Sequence, residues 1–234
     1  METDYYQHHS SVLSKQGHTT VFLCDPLAQP FMVLRDKAQK AFESIDKEGV
    51  NSSLKDRPEK ASIDFDFVKG GEDLIVEIVQ GSSLIQLVRS HLGQSVMYDV
   101  AFSKYRYVRH DFPEQMAYTP LHYDGNFLPG KSINVCIPFT GYGGPFPGLK
   151  TWPDTATHRV ARKLLGESVY AKYLPRIVEP DEPYLTAGSA LVFTEKVYHC
   201  RSVDRKWQSR LNLELRFFPE SALSDETLDL RPIN

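Results

Sequence analysis

Apolar residues recur at helical spacing in the first third of the chain and at every second position over much of the rest. From Pro30 to Ile45, the apolar residues Phe31, Leu34, Ala38, Ala41, Phe42 and Ile45 lie three or four apart, which predicts an amphipathic helix. Asp46–Lys60 is charged and broken by Gly, Asn and Pro, so an exposed loop is expected there. A second helical stretch is expected over Glu72–Leu92, interrupted at Gly81-Ser82-Ser83 and stopped by Gly93. The period then falls to two. Ser95–Val108, Met116–Asp124, Ser132–Phe139, Leu185–Phe193 and Ser209–Phe218 read as strands, with dense Gly and Pro turns between them. One more helix is expected over Asp154–Tyr173, with Ala161, Leu164, Leu165 and Val169 on one face. Helices first and short strands after predict an antiparallel β core supported by N-terminal helices.

Two strands say more. Ser209–Phe217 sets Leu211, Leu213, Leu215 and Phe217 against Arg210, Asn212, Glu214 and Arg216. Ser132–Phe139 sets Ile133, Val135, Ile137 and Phe139 against Ser132, Asn134 and Cys136. A polar face of this kind is either solvated or turned into a barrel whose apolar outside lies under helices. The alternation admits both.

Composition narrows the class without choosing a chemistry. Of 234 residues, 41% are hydrophobic and 24% charged, as in soluble globular proteins, which argues against disorder or a collagen-like repeat. The 27 Lys and Arg against 30 Asp and Glu leave a net charge of −3, so no global field favours nucleic acid or an anionic membrane. No apolar run approaches the roughly 18 residues of a membrane span, and the polar N-terminus lacks a signal-peptide pattern. Cys24, Cys136 and Cys200 are far apart without a CxxC, so reduced thiols and a cytoplasmic setting are expected.

The chemistry lies in a few spacings. His122-Tyr-Asp124 puts an imidazole and a carboxylate on one side of an extended chain, and His199 follows a short apolar run, Ala190–Phe193. Two histidines and a carboxylate with open positions suit a mononuclear Fe(II) oxygenase. Alone, each motif reads equally as a satisfied polar pair or a hydrogen-bonded core histidine. Arg210, eleven residues past His199, carries a guanidinium fit for the far carboxylate of 2-oxoglutarate. His110 and His158 are expected in surface or structural roles, and His8 and His9 in a mobile terminal segment. Tyr107 with Arg109 is the pair expected to turn inward from its strand, and Trp152, Tyr123 and Phe127 could line a pocket or simply pack. Arg109, Arg201, Arg205 and Arg216 suggest an anionic small molecule.

Taken together, Leu121-His-Tyr-Asp124, Asn134-Val-Cys-Ile-Pro138, Ala187-Gly-Ser-Ala-Leu-Val-Phe193, His199 and Arg210 resemble the phytanoyl-CoA dioxygenase-like branch of the Fe(II)/2-oxoglutarate-dependent oxygenases. Gln16–Phe22 is similar to the opening segment of that family. The resemblance implies a mainly β, cupin-like double-stranded β-helix (jelly-roll) with supporting helices. A single domain over residues 1–234 would follow, with helical support over about 1–94 and a jelly-roll core over about 95–220. It implies His122, Asp124 and His199 as catalytic metal ligands, Arg210, Asn134 and Ser202 as cosubstrate contacts, and Fe(II), 2-oxoglutarate and O₂ as cofactor and cosubstrates. Substrate contacts would come from Tyr107, Arg109, Arg201, Arg216 and Trp152. The implied activity oxidises, most simply hydroxylates, a C–H bond of a small molecule such as an amino acid or natural-product intermediate, releasing succinate and CO₂. A non-catalytic ligand-binding jelly-roll and a cupin-type oxygenase without 2-oxoglutarate are the alternatives. The chain departs from the pattern at Arg201, where the family often has Ser or Thr as a helper for the far carboxylate. Arg201 is either a second cation there or points elsewhere.

Overall fold

A computed structural model describes residues 2–48, 62–63, 68, 70–100, 102–108, 121–128, 130–202, 208–224 and 228–233. The elements run α1 (Glu2–Gln16), β1 (His18–Phe22), α2 (Gln29–Glu48), β2 (Ser62–Ile63), α3 (Glu72–Gln80), α4 (Leu84–Leu92), β3 (Val96–Asp99) and β4 (Lys104–Val108). They continue with β5 (Ile133–Pro138), β6 (Gly148–Trp152), α5 (Ala156–Leu165), α6 (Glu167–Ile177), β7 (Ser189–Thr194), β8 (Tyr198–Ser202), β9 (Arg210–Pro219) and β10 (Leu230–Pro232).

The larger sheet has the order β1-β7-β5-β9-β3-β10, with β4 also on β9 and β2 on β4, all antiparallel. β9 organises it. One edge pairs with β5 over Asn212–Phe217, while the other takes β4 at Arg210–Glu214 and β3 at Phe217–Pro219. The smaller sheet is β6 with β8, extended by a bridge between His122 and His199. This is the expected jelly-roll, a mainly antiparallel β structure with six α-helices among the described residues.

The alternation of β5 and β9 resolves in favour of the barrel. Val135, Ile137, Leu211, Leu213, Leu215 and Phe217 form one buried cluster with Phe31, Leu34 and Ala38 of α2, Ile75 and Val79 of α3, and Leu84, Leu87 and Val88 of α4. Each such side chain contributes about 1.5–3 kcal/mol on burial, so the apolar face is fixed under the helices. The polar face must then turn inward, and Asn134, Arg210 and Asn212 are fully or almost fully buried.

Four local expectations fail. The single helix over Asp154–Tyr173 is two, because Gly166 takes a left-handed φ of +79° between α5 and α6. Leu164, Leu165 and Val169 are exposed, Leu164 at 79%, while Tyr170 and Leu174 are buried with Trp152 and Tyr198. The terminal segment of His8 and His9, expected to be mobile, lies within α1, which Leu13 anchors in the main core. The loop expected at Asp46–Lys60 begins late, since α2 runs to Glu48, and its remainder lies outside the described residues. Of Met116–Asp124, the described part is a bridge at His122 and a 3-10 turn over Asp124–Asn126 instead of a strand.

Candidate active site

β8 and the segment before the 3-10 turn run side by side. His122 N donates to the His199 carbonyl at 3.0 Å and His199 N to the His122 carbonyl at 2.8 Å, leaving the two imidazoles 4.3 Å apart between centroids. The turn brings Asp124 beneath them, held as Gly125 N donates to the Glu195 carbonyl at 2.8 Å. Asp124 Oδ1 lies 3.6 Å from His122 Nε2 and 3.7 Å from His199 Nε2. One ligand atom from each residue falls within 4.8 Å of the others, the one such metal-competent cluster among the described residues.

The state of His199 suits a cation. Burial pushes the His199 imidazolium down to about 4, with His122 adding to the fall and Asp124 opposing it. Near neutral pH His199 is therefore uncharged, and its approach to Asp124 is not an ion pair. Its Nδ1 donates to the Val197 carbonyl at 3.0 Å, which leaves Nε2 as a lone-pair donor facing Asp124. His199 and Asp124 are 5% and 6% exposed, whereas the His122 side chain is 26% exposed, so the cluster opens on the His122 side. Phe127, largely exposed, stands at that opening, 6.2 Å from the His122 ring.

The second carboxylate oxygen is occupied. Asn134 Nδ2 donates to Asp124 Oδ2 at 2.6 Å, and Arg216 Nη2 lies 3.3 Å from the same oxygen. The cross-strand register of Asn134 with Arg216 delivers both together. Asp124 thus presents Oδ1 alone toward the histidines. Further along the interior, Arg106 Nε lies 2.5 Å from Glu214 Oε2, and Asn212 Nδ2 donates to Glu214 Oε1 at 3.4 Å. Burial alone would raise the Glu214 carboxyl, but Arg106, Arg216 and Arg210 overcome it and hold the group at about 2.

Arg210 is 2% exposed. Its Nη1 donates to the Pro147 carbonyl at 2.6 Å, its guanidinium stands 4.7 Å from the Tyr142 ring centroid, and its buried Nε has no partner among the described residues. Asn134 Oδ1, Asn212 Oδ1 and Arg216 Nη1 are likewise buried without partners there. Unused polar atoms gathered on inward strand faces are donors and acceptors that a polar ligand could satisfy.

Other expected contacts are placed differently. Tyr107 faces the helices and packs on Phe42 at 5.3 Å, while Arg106 faces inward opposite Asn212. Arg109 lies outside the described residues, as do Arg205 and His110. Two large aromatics at period two, Tyr105 and Tyr107, were the signal that this face is the apolar one. Ser202 Oγ donates to Glu182 Oε2 at 2.8 Å, on the strand face opposite His199, and so is turned away from the cluster. Trp152 is core, with its indole N–H on the Val178 carbonyl at 3.0 Å. His158 is structural, bonding the Pro153 carbonyl, and His9 Nδ1 lies 2.8 Å from Thr19 Oγ1. All three cysteines are free.

No family model and no curated protein matches the sequence. The fold nevertheless resembles that of three solved structures, two of them non-heme α-ketoglutarate-dependent enzymes and the third solved with 2-oxoglutarate. The epimerase SnoN of nogalamycin biosynthesis is 9% identical, with a TM-score of 0.62 over 93% of this chain and 83% of that one. The carbocyclase SnoK of the same biosynthesis is 12% identical, with a TM-score of 0.66 over 91% and 83%. EctD from S. alaskensis, solved with 2-oxoglutarate and 5-hydroxyectoine, is 14% identical, with a TM-score of 0.64 over 92% and 76%. The phytanoyl-CoA dioxygenase-like branch rests on the sequence motifs alone. Among the described residues, no helix is long and apolar enough to cross a membrane.

Proposed function

We propose that the chain is one Fe(II)- and 2-oxoglutarate-dependent oxygenase domain that oxidises, by hydroxylation in the simplest case, a C–H bond of a small anionic molecule in the cytoplasm. The convergence of His122 Nε2, His199 Nε2 and Asp124 Oδ1 carries the reading. Two imidazoles and one carboxylate are the donor set that Fe(II) takes in such enzymes. Bound iron and the 2-oxo acid would supply the oxidising chemistry, with succinate and CO₂ as by-products.

The chain's own residues hold, orient and shield. His122, Asp124 and His199 would ligate the metal, with Asn134 and Arg216 fixing the carboxylate that Asp124 presents. Arg210, whose buried Nε lacks an acceptor, would take the far carboxylate of 2-oxoglutarate. Asp124 and His199 are buried while His122 is partly exposed, so the substrate would enter on the His122 side, beside Phe127.

Anaerobic addition of Fe(II) and 2-oxoglutarate should give a weak visible charge-transfer band in the wild-type chain and none in His122→Ala. A band that is missing from the wild type or survives the substitution overturns the reading. If metal binds and O₂ is consumed with no succinate, a cupin-type oxygenase is indicated instead.

A further inference from the structure

The polar interior of the barrel holds more cations than it pairs. Among the described residues, the inward faces of β4, β5, β8 and β9 and the metal cluster carry two carboxylates, and both are engaged: Glu214 by Arg106 at 2.5 Å and Asp124 by Arg216 at 3.3 Å. Arg201 and Arg210 are left. Arg201 is half-buried, and among the described residues no hydrogen bond or ion pair holds its side chain.

The topology brings these two arginines to one end of the barrel. Arg201 is two residues past His199 on β8 and so shares its inward face, while the intervening Cys200 and the following Ser202 face out. It stands opposite Leu149 on β6, two residues beyond Pro147, whose carbonyl Arg210 grips. The guanidiniums of Arg210 and Arg106 act on Arg201 as like charges, with Glu214 the opposing one. Like charges kept together, with a buried donor of Arg210 unused, favour an anion between them, because an uncompensated buried cation is costly.

We propose that Arg201 and Arg210 together seat the carboxylate of the 2-oxo acid that lies far from the metal, making a two-cation subsite where the family pattern has one cation and a hydroxyl. The proposal rests on the oxygenase reading above. It makes this end of the ligand strongly charge-selective, so a 2-oxo monoacid should bind far more weakly than the diacid. It also makes Arg201 a residue that repels its neighbours until the ligand arrives.

Calorimetry on the Co(II)-loaded chain tests it with 2-oxoglutarate and with 2-oxopentanoate, which has the same carbon count and no far carboxylate. Arg201→Ser should weaken 2-oxoglutarate roughly tenfold to a hundredfold, leave 2-oxopentanoate unchanged, and be largely rescued by Arg201→Lys. Ligand-free Arg201→Ser should melt at or above the wild-type temperature, because a repulsion is removed; a structural role would lower it. Unchanged 2-oxoglutarate affinity in Arg201→Ser, or equal loss of both acids, overturns the proposal while leaving the oxygenase reading intact. If the Co(II)-loaded wild type binds neither acid, both readings fall.

Discussion

Replacing Asn134 by Ala removes the shortest contact to the proposed metal carboxylate. Asn134 is fully buried, and its Nδ2 donates to Asp124 Oδ2 at 2.6 Å, while Arg216 remains at 3.3 Å from the same oxygen. A hydrogen bond to a charged group contributes about 1.5–3 kcal/mol. In the ligand-free protein part of that loss is offset, because the partnerless Asn134 Oδ1 leaves with the side chain. The metal has no such relief: with Oδ2 half-released the carboxylate can swing, and Oδ1 no longer points steadily at the two Nε2 atoms. Partners of this kind are worth roughly tenfold to a hundredfold in metal affinity, about 1.4–2.8 kcal/mol, in the same range as the hydrogen bond itself. Co(II) titration followed by visible absorption would measure it, with Ser132→Ala as control. Ser132 is buried one residue outside β5, and its Oγ has no partner among the described residues, so that change should leave Co(II) affinity alone. Asn134→Ala binding Co(II) within twofold of wild type would refute the reasoning.

Two further predictions concern stability. The Glu214 carboxyl is held at about 2 by its arginines against the cost of burial, so its contribution is complete above the unfolded value of ~4.3 and is lost as pH falls toward 2. Wild type should shed on the order of 3 kcal/mol more than Glu214→Gln in denaturant melts between pH 5 and 2. At pH 7 Glu214→Gln, which strands Arg106, should be about 3–5 kcal/mol less stable than wild type; parallel acid profiles for the two proteins would contradict this. Gly188 has φ +83°, and a Cβ there would come within 2.3 Å of the Cys24 carbonyl oxygen, so Gly188→Ala should cost at least ~1–3 kcal/mol. A denaturation midpoint equal to wild type would exclude that strain.

The helices α2, α3 and α4 and the strands β5 and β9 were legible because each buries one face against a single large surface, and burial of that kind imposes a clean period. α1 was not legible: few of its side chains, Leu13 among them, reach the core, and no repeat builds up from so little. α5 and α6 misled for the opposite reason. Leu164, Leu165 and Val169 have helical spacing yet stay exposed, since Gly166 turns the chain before the helix can bury that stripe. In the site, Ser202 and Tyr107 were misplaced by one residue each, and in a strand one residue reverses the face.

The sequence alone named the candidate donors, His122, Asp124, His199 and Arg210, because the chemistry demands particular side chains at particular spacings. It also determined the alternation of β9, but not which side of that alternation meets water. Only the tertiary structure decided that, by laying three helices on the apolar face and so forcing four charged or polar residues of β9 inward. It likewise chose Arg106 over Tyr107, paired Glu214 with Arg106 and set Asn134 and Arg216 on one oxygen of Asp124. Those contacts depend on cross-strand register between segments far apart in the chain, and long-range register is fixed by the packing of the whole sheet.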